Sequence, residues 1–267
     1  MEQQGLVRTL LGLIAASLAL LTLAYGDAAL SARAIPAGVP GRENWVYGSA
    51  LLLLGASAGL GLARTAWPAA LAIASYLLAW TASYARQVLA SPLSFEGWYG
   101  CCEALTALLG AWIVCVLMRW PCAPTLASLS RAHALRGARL LFGLMCVFYG
   151  ASHLAFAEFT ASMVPAWLPA RLGVAYATGI AHMAAGMALI CDAWALAAAT
   201  LEACMMALFG LLVWVPSFFA QPRPAWAAMP QTRWSELVIS AVLAASAGIV
   251  AGSMGVRTAV RPQRAQS

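Results

Sequence analysis

Two histidines and three glutamates stand where an ionisable side chain is costly. His182 lies in the middle of AYATGIAHMAAGMALI (175–190), and Glu202 in the middle of AATLEACMMALFG (198–210), stretches otherwise apolar or small. His153 follows Tyr149 by four residues, so the two share one face of a helix. Glu103 in WYGCCEAL and Glu236 in TRWSELVI each fall near the start of an apolar run, and Asp27 just after the end of one. An imidazole can pass a proton or bind a carbonyl, with a carboxylate as its partner. The chemistry these types offer is therefore proton handling around a small molecule. Trp98, Tyr99, Tyr149, Trp167 and Tyr176 would supply apolar walls, and Glu103 or Glu236 the proton partner of the histidines. The competing reading is interhelical hydrogen bonding that fixes helix positions, worth about 0.6 kcal/mol per contact on average. No residue reads as a catalytic nucleophile, so catalytic roles stay unassigned.

Other chemistries find no support. The cysteines at 101, 102, 115, 122, 146, 191 and 204 form no C-x-x-C and no zinc-like spacing, so no metal site is expected. Phosphate-binding, dinucleotide-binding, esterase and zinc-protease motifs do not occur. Two histidines on adjacent membrane helices can hold a haem through axial nitrogens. Here His153 sits near a span end and His182 near mid-span, an inequality of depth that argues against it. No bound cofactor is expected, and a quinone is considered as substrate only.

The positions of these groups depend on the elements around them. The 267 residues are 63% hydrophobic and 9% charged, with a mean hydropathy of +0.82. A soluble domain carries about 25% charged residues. Apolar segments long enough to cross ~30 Å of hydrocarbon as helix recur along the whole chain. The expected fold is all-α, a polytopic transmembrane helix bundle of about eight spans. These run near 6–25, 45–63, 66–85, 98–118, 139–156, 172–191, 193–218 and 235–254, with Trp45, Trp98, Trp120 and Trp234 at span ends. The first is read as a retained span, not a cleaved signal.

Arginine alone carries the positive charge, there being no lysine. Arg8, Arg64, Arg119, Arg131, Arg136, Arg139, Arg257, Arg261 and Arg264 fall on one side of the spans, against Arg33, Arg42, Arg86, Arg171, Arg223 and Arg233. The excess places both termini in the cytoplasm. The arginines are scattered singly between spans, so the net charge of +6 reads as topology and no nucleic-acid face is expected.

The chain also repeats. YGDAALSARAIPAGVPGRENWVYGSALLLLGASAG (25–59) is echoed by YGASHLAFAEFTASMVPAWLPARLGVAYATGIAHMAAG (149–186). Matching their glycines sets Trp45, Gly48 and Gly55 against Tyr176, Gly179 and Gly186. It puts Ala29 and Leu51 opposite His153 and His182, and Glu103 matches Glu236. Gly48, Gly55 and Gly59, like Gly179 and Gly186, are expected to let helices approach closely. The expected organisation is a four-helix unit at 1–118, a cytoplasmic linker at 119–138, a second four-helix unit at 139–256 and a basic cytoplasmic tail at 257–267. Groups shared by both units read as structural, and those polar in one unit only as functional.

On these motifs the chain resembles DoxX-like integral membrane proteins: a glycine at the end of the first span, a proline-bearing loop, and a second span with G-x-x-polar-x-x-x-G. The resemblance covers about 110 residues of the second half well and the rest by repetition. It implies a bacterial inner-membrane protein linked to thiosulfate:quinone oxidoreduction or to complexes handling thiol and oxidative stress. Such proteins often carry a glutamate where this chain has His182. The resulting expectation is a membrane subunit acting on or near a quinone or a small sulfur compound, beside a partner redox subunit. The alternative is a non-catalytic carrier of a small solute or lipid, or a scaffold for a partner enzyme. The pocket is expected to include His153, His182, Tyr149, Tyr176, Glu103, Glu236, Asp27, Trp98 and Glu202.

Overall fold

The computed structural model describes residues 2–26, 39–119 and 125–258, and every regular element among them is helical. The helices are α1 (Glu2–Tyr25), α2 (Arg42–Leu60), α3 (Ala66–Ser83), the short α4 (Ala85–Ala90) and α5 (Phe95–Arg119). They continue as α6 (Thr125–Ala155), the short α7 (Ala157–Met163), α8 (Arg171–Ile190), α9 (Ala195–Phe209), α10 (Val215–Ser217) and α11 (Pro230–Thr258). Long apolar helices satisfy their own backbone groups, which is what a bilayer demands.

Six segments are long and apolar enough to cross a membrane: Gln4–Tyr25, Phe95–Met118, Ser130–Ala155, Arg171–Ile190, Ala195–Ser217 and Pro230–Met254. Six of the expected eight spans are matched; α2 and α3, with 19 and 18 residues, fall outside these six. Polar residues dilute them, with Arg42, Glu43 and Asn44 opening α2 and Ser75, Thr81 and Ser83 spread along α3.

Two local features refine the expected outline. The stretch read as a polar linker is largely helix, because after Pro124 the segment from Thr125 runs unbroken into α6. Its Ala, Leu and Arg content favours helix despite its charge. The seventh expected span is found as Ala195–Ser217, with an irregular turn within it. After α9 the backbone widens into a π turn at Gly210–Trp214 before α10. Pro216 explains this, since it offers no N–H and its ring displaces the carbonyl a turn earlier.

The long helices pack in a closed circuit in the order α1, α2, α3, α5, α6, α8, α9, α11 and back to α1, with α5 also packed on α11 across the middle. That central contact divides the circuit into two five-helix rings sharing α5 and α11. At the contact, a Cβ on Gly110 would stand 3.1 Å from Ser246 Oγ.

Candidate functional site

The ring α5–α6–α8–α9–α11 surrounds a cavity of about 530 Å³ at the end of the bundle where α5 begins and α6 ends. Antiparallel α6 and α8 set its geometry. A Cβ on Gly150 would lie 2.5 Å from Gly179 O, and one on Gly186 would lie 2.5 Å from Gly143 O, so these glycines bring the two backbones into contact. Gly48 and Gly55, expected to do the same in the first half, have nothing within 4 Å of a built Cβ. Gly48 instead borders a second cavity of about 820 Å³ between α2 and α3. That cavity is larger, but no carboxylate or histidine lines it.

Because α6 and α8 touch, their polar side chains meet. The His153 and His182 rings lie 5.1 Å apart between centroids, edge to face, and the Tyr149 ring lies 6.4 Å from His182. This corrects the expected inequality of depth. Helical side chains lean toward their own N-terminus. On antiparallel helices His153 leans inward and His182 outward, and they converge. Residue count along the chain could not show this.

His182 Nδ1 shares a 2.7 Å hydrogen bond with Glu202 Oε1 from α9, both side chains being buried, at 4% and 1% exposure. The proton partner of His182 is therefore Glu202, not Glu103 or Glu236. The other carboxylate oxygen of Glu202 is buried without a hydrogen bond, and the thiol of Cys146 lies beside it. His153 Nδ1 meets Thr178 Oγ1 at 3.3 Å. The Thr178 hydroxyl is directed at the carbonyls of Val174 and Ala175, both at 3.0 Å, so the His153 N–H donates to it. The neutral ring then keeps Nε2 as an acceptor. Ser152 Oγ donates to the Tyr149 carbonyl at 2.7 Å, so Tyr99 donates to Ser152 at 2.9 Å, and not to Glu103 as its i−4 position suggested. The Tyr149 hydroxyl pairs with Thr106 Oγ1 at 3.0 Å.

Of the residues expected in the pocket, His153, His182, Tyr149, Glu103 and Glu236 line the cavity, and Glu202 stands directly behind His182. Trp98 does not; its indole N–H binds the Pro92 carbonyl at 2.9 Å. Tyr176 and Trp167 are exposed and turn away from it. Asp27 lies outside the described residues. Sequence reading missed Glu96, Phe156, Phe159, Phe209, Trp214 and Trp226, all in the cavity wall. Nothing in their spacing announced them, because the π turn and the 224–229 segment carry the two tryptophans inward. Among the described residues no three His, Cys, Asp or Glu side chains are grouped to hold a metal ion.

The other ring carries apolar residues at comparable positions. Inward positions match helix by helix: Val7, Leu11, Leu18 and Thr22 of α1 are spaced as the buried Ala138, Phe142 and Tyr149 and the half-buried His153 of α6. Val46, Ala50, Leu53 and Leu60 of α2 are spaced as Ala175, Gly179, His182 and Leu189 of α8. Ala66, Ala70, Ile73 and Leu77 of α3 are spaced as Ala195, Ala199, Glu202 and Met206 of α9. Contacts agree, since a Cβ on Gly12 would meet Ser57 and Leu60, as one on Gly143 would meet Gly186 and Leu189. Arg8 binds the Leu60 carbonyl at the end of α2, and Arg139 pairs with Asp192 just past the end of α8. The counterpart of His182 is thus Leu53, not Leu51, which is exposed. No protein-family model, no curated protein and no solved structure matches the chain.

Proposed function

We propose that the chain is an eight-span membrane protein, with α2 and α3 crossing beside the six longer helices, built as two DoxX-like four-helix units at 1–118 and 139–256. We propose further that the second unit holds a proton-active site for a small, ring-bearing amphipathic molecule in a membrane redox system. One observation carries this reading. Tyr149, His182 and Glu202 occupy places where the other ring has Leu18, Leu53 and Ile73, all fully buried, so the architecture packs without them. Cavity size and aromatic walls suit a ring; Tyr149, accepting from Thr106, can donate to a quinone carbonyl, and His153 Nε2 can accept a proton from a quinol.

An anionic sulfur compound fits less well. Glu96, Glu103 and Glu236 line the cavity and no arginine does, so an oxyanion would be repelled. Electrons would come from a partner redox subunit, the protein itself contributing binding and proton exchange. A haem between His153 and His182 is opposed by their edge-to-face contact, which leaves no gap for a macrocycle, and purified protein is expected to show no Soret band. A carrier is the second reading, favoured by the position of Glu103 and Glu236 on α5 and α11, the helices shared by both rings.

The test is equilibrium binding of a short-tailed benzoquinone to the purified protein, with and without the paired change His182→Leu, Glu202→Ile. Loss of binding in the pair supports the reading, and unchanged binding contradicts it. Localisation in a bacterial inner membrane with both termini cytoplasmic is checked by reporter fusions. One near Ala127 should report cytoplasm and one near Ala228 periplasm; the opposite pair of results reverses the orientation.

A further inference from the structure

The two shared carboxylates are left unanswered. Glu103 and Glu236 are partly buried and face the cavity, near enough for their charges to act on each other. Among the described residues neither has a hydrogen-bond or ion-pair partner. Glu96 adds a third carboxylate to the same wall. Arg233, one turn before Glu236, does not relieve them, because its guanidinium donates to the Ala227 carbonyl at 2.9 Å and lies over the Phe218 ring. Like charges in a low-dielectric enclosure repel, and only a proton or a positive guest removes the repulsion.

The surroundings say what kind of guest. The carboxylates are spread around the wall without forming a metal-holding group. The remaining wall includes the aromatic residues Phe156, Phe159, Phe209, Trp214 and Trp226. Aromatic rings attract a cation through their quadrupole, most strongly where water is excluded. A cavity of about 530 Å³ accommodates an organic molecule rather than a bare ion.

We propose that this cavity binds amphipathic organic cations, an aromatic or alkyl ammonium class, in exchange for protons carried by Glu103 and Glu236. The exchange balances in charge. A cation enters as a carboxyl O–H breaks and its proton leaves to water; when the proton returns, the cation is released. With the carboxyls protonated the same space is neutral and open to an uncharged ring. The other ionisable groups facing the pair are Glu96, Tyr99 and Cys102 on α5, Tyr149 and His153 on α6, and His182 on α8. This inference rests on the cavity being a ligand site.

The experiment uses the full chain in detergent and two probes of similar shape, tetraphenylphosphonium and the uncharged triphenylphosphine oxide, titrated by calorimetry at pH 5.5 and pH 8. Tetraphenylphosphonium should bind at least tenfold more tightly at pH 8 than at pH 5.5, releasing protons in proportion, while the oxide shows no such gain. Glu103→Gln and Glu236→Gln should each reduce cation affinity at least tenfold and leave oxide binding unaltered. Equal affinity of the parent protein for both probes at pH 8 overturns the cation inference alone, whatever the variants do. Binding of neither probe overturns it together with the reading of the cavity as a ligand site.

Discussion

The two five-helix rings share α5 and α11 and place corresponding helices around them, yet at matched inner positions one is filled by aliphatic side chains and the other opens onto a cavity lined by histidines and carboxylates. In the first ring Leu18, Leu53, Ile73 and Leu77 are all at 0% exposure, with no room for a water molecule against them. In the second the corresponding places hold Tyr149, His182, Glu202 and Met206, and the space beside Tyr149, His182 and Met206 is open. An apolar set fills this geometry, so polarity in the second ring is an addition to the fold rather than a requirement of it. The helix pairs differ in the same sense. Interlocked glycines draw α6 against α8 and force His153 and His182 together, whereas α1 and α2 meet through Gly12 and the bulkier Ser57, whose hydroxyl donates to the Gly12 carbonyl at 2.8 Å.

The largest effect is expected from breaking the polar pair unevenly. His182→Leu alone leaves Glu202 buried with neither oxygen bonded. That should destabilise the protein by about 3–5 kcal/mol, the cost typical of orphaning one member of a buried pair. Titration with a denaturing detergent measures it, and a change near zero would show that Glu202 finds another partner or stays neutral without cost.

Glycine substitutions sharpen the contrast between the helix pairs. Gly150→Ala and Gly186→Ala must push α6 from α8, because each new Cβ would fall about 2.5 Å from a backbone carbonyl oxygen. Losses of about 1–3 kcal/mol are expected. Gly48→Ala and Gly55→Ala meet open space and should stay within about 0.5 kcal/mol of the parent. Equal losses at all four positions would mean that the halves pack alike.

A smaller effect is expected at Tyr149→Phe, which removes the hydroxyl paired with Thr106 and leaves the ring in place. About 0.5–1.5 kcal/mol of stability should be lost, together with a measurable weakening of quinone binding. An unchanged affinity would remove the hydroxyl from the ligand-handling group.

Much of this was legible before any coordinates. The helices of the bundle follow from apolar run lengths, and His182, Glu202, Tyr149 and His153 stood out because ionisable or polar groups are rare in such runs. Their mutual arrangement was not legible. Matching the glycines of the two halves aligns their loops rather than their helix faces and sets Leu51 against His182, whereas burial identifies Leu53. The pairing of His182 with Glu202 joins different helices, and no spacing within either reveals it. Trp214 and Trp226 enter the wall through a π turn and a short 3-10 turn, which carry no periodic signal.

The most direct test converts one ring into the other. The double variant His182→Leu, Glu202→Ile carries the first ring's residues at both places and leaves no charge unpaired. Its resistance to denaturing detergent and its affinity for the short-tailed benzoquinone are measured on the same preparation. The expected result is stability equal to the parent within about 1 kcal/mol, against the clear loss in His182→Leu alone, with quinone binding reduced at least tenfold. A double variant that unfolds as readily as the single one, or that binds the quinone as the parent does, would contradict the claim that this polar pair serves a ligand and not the fold.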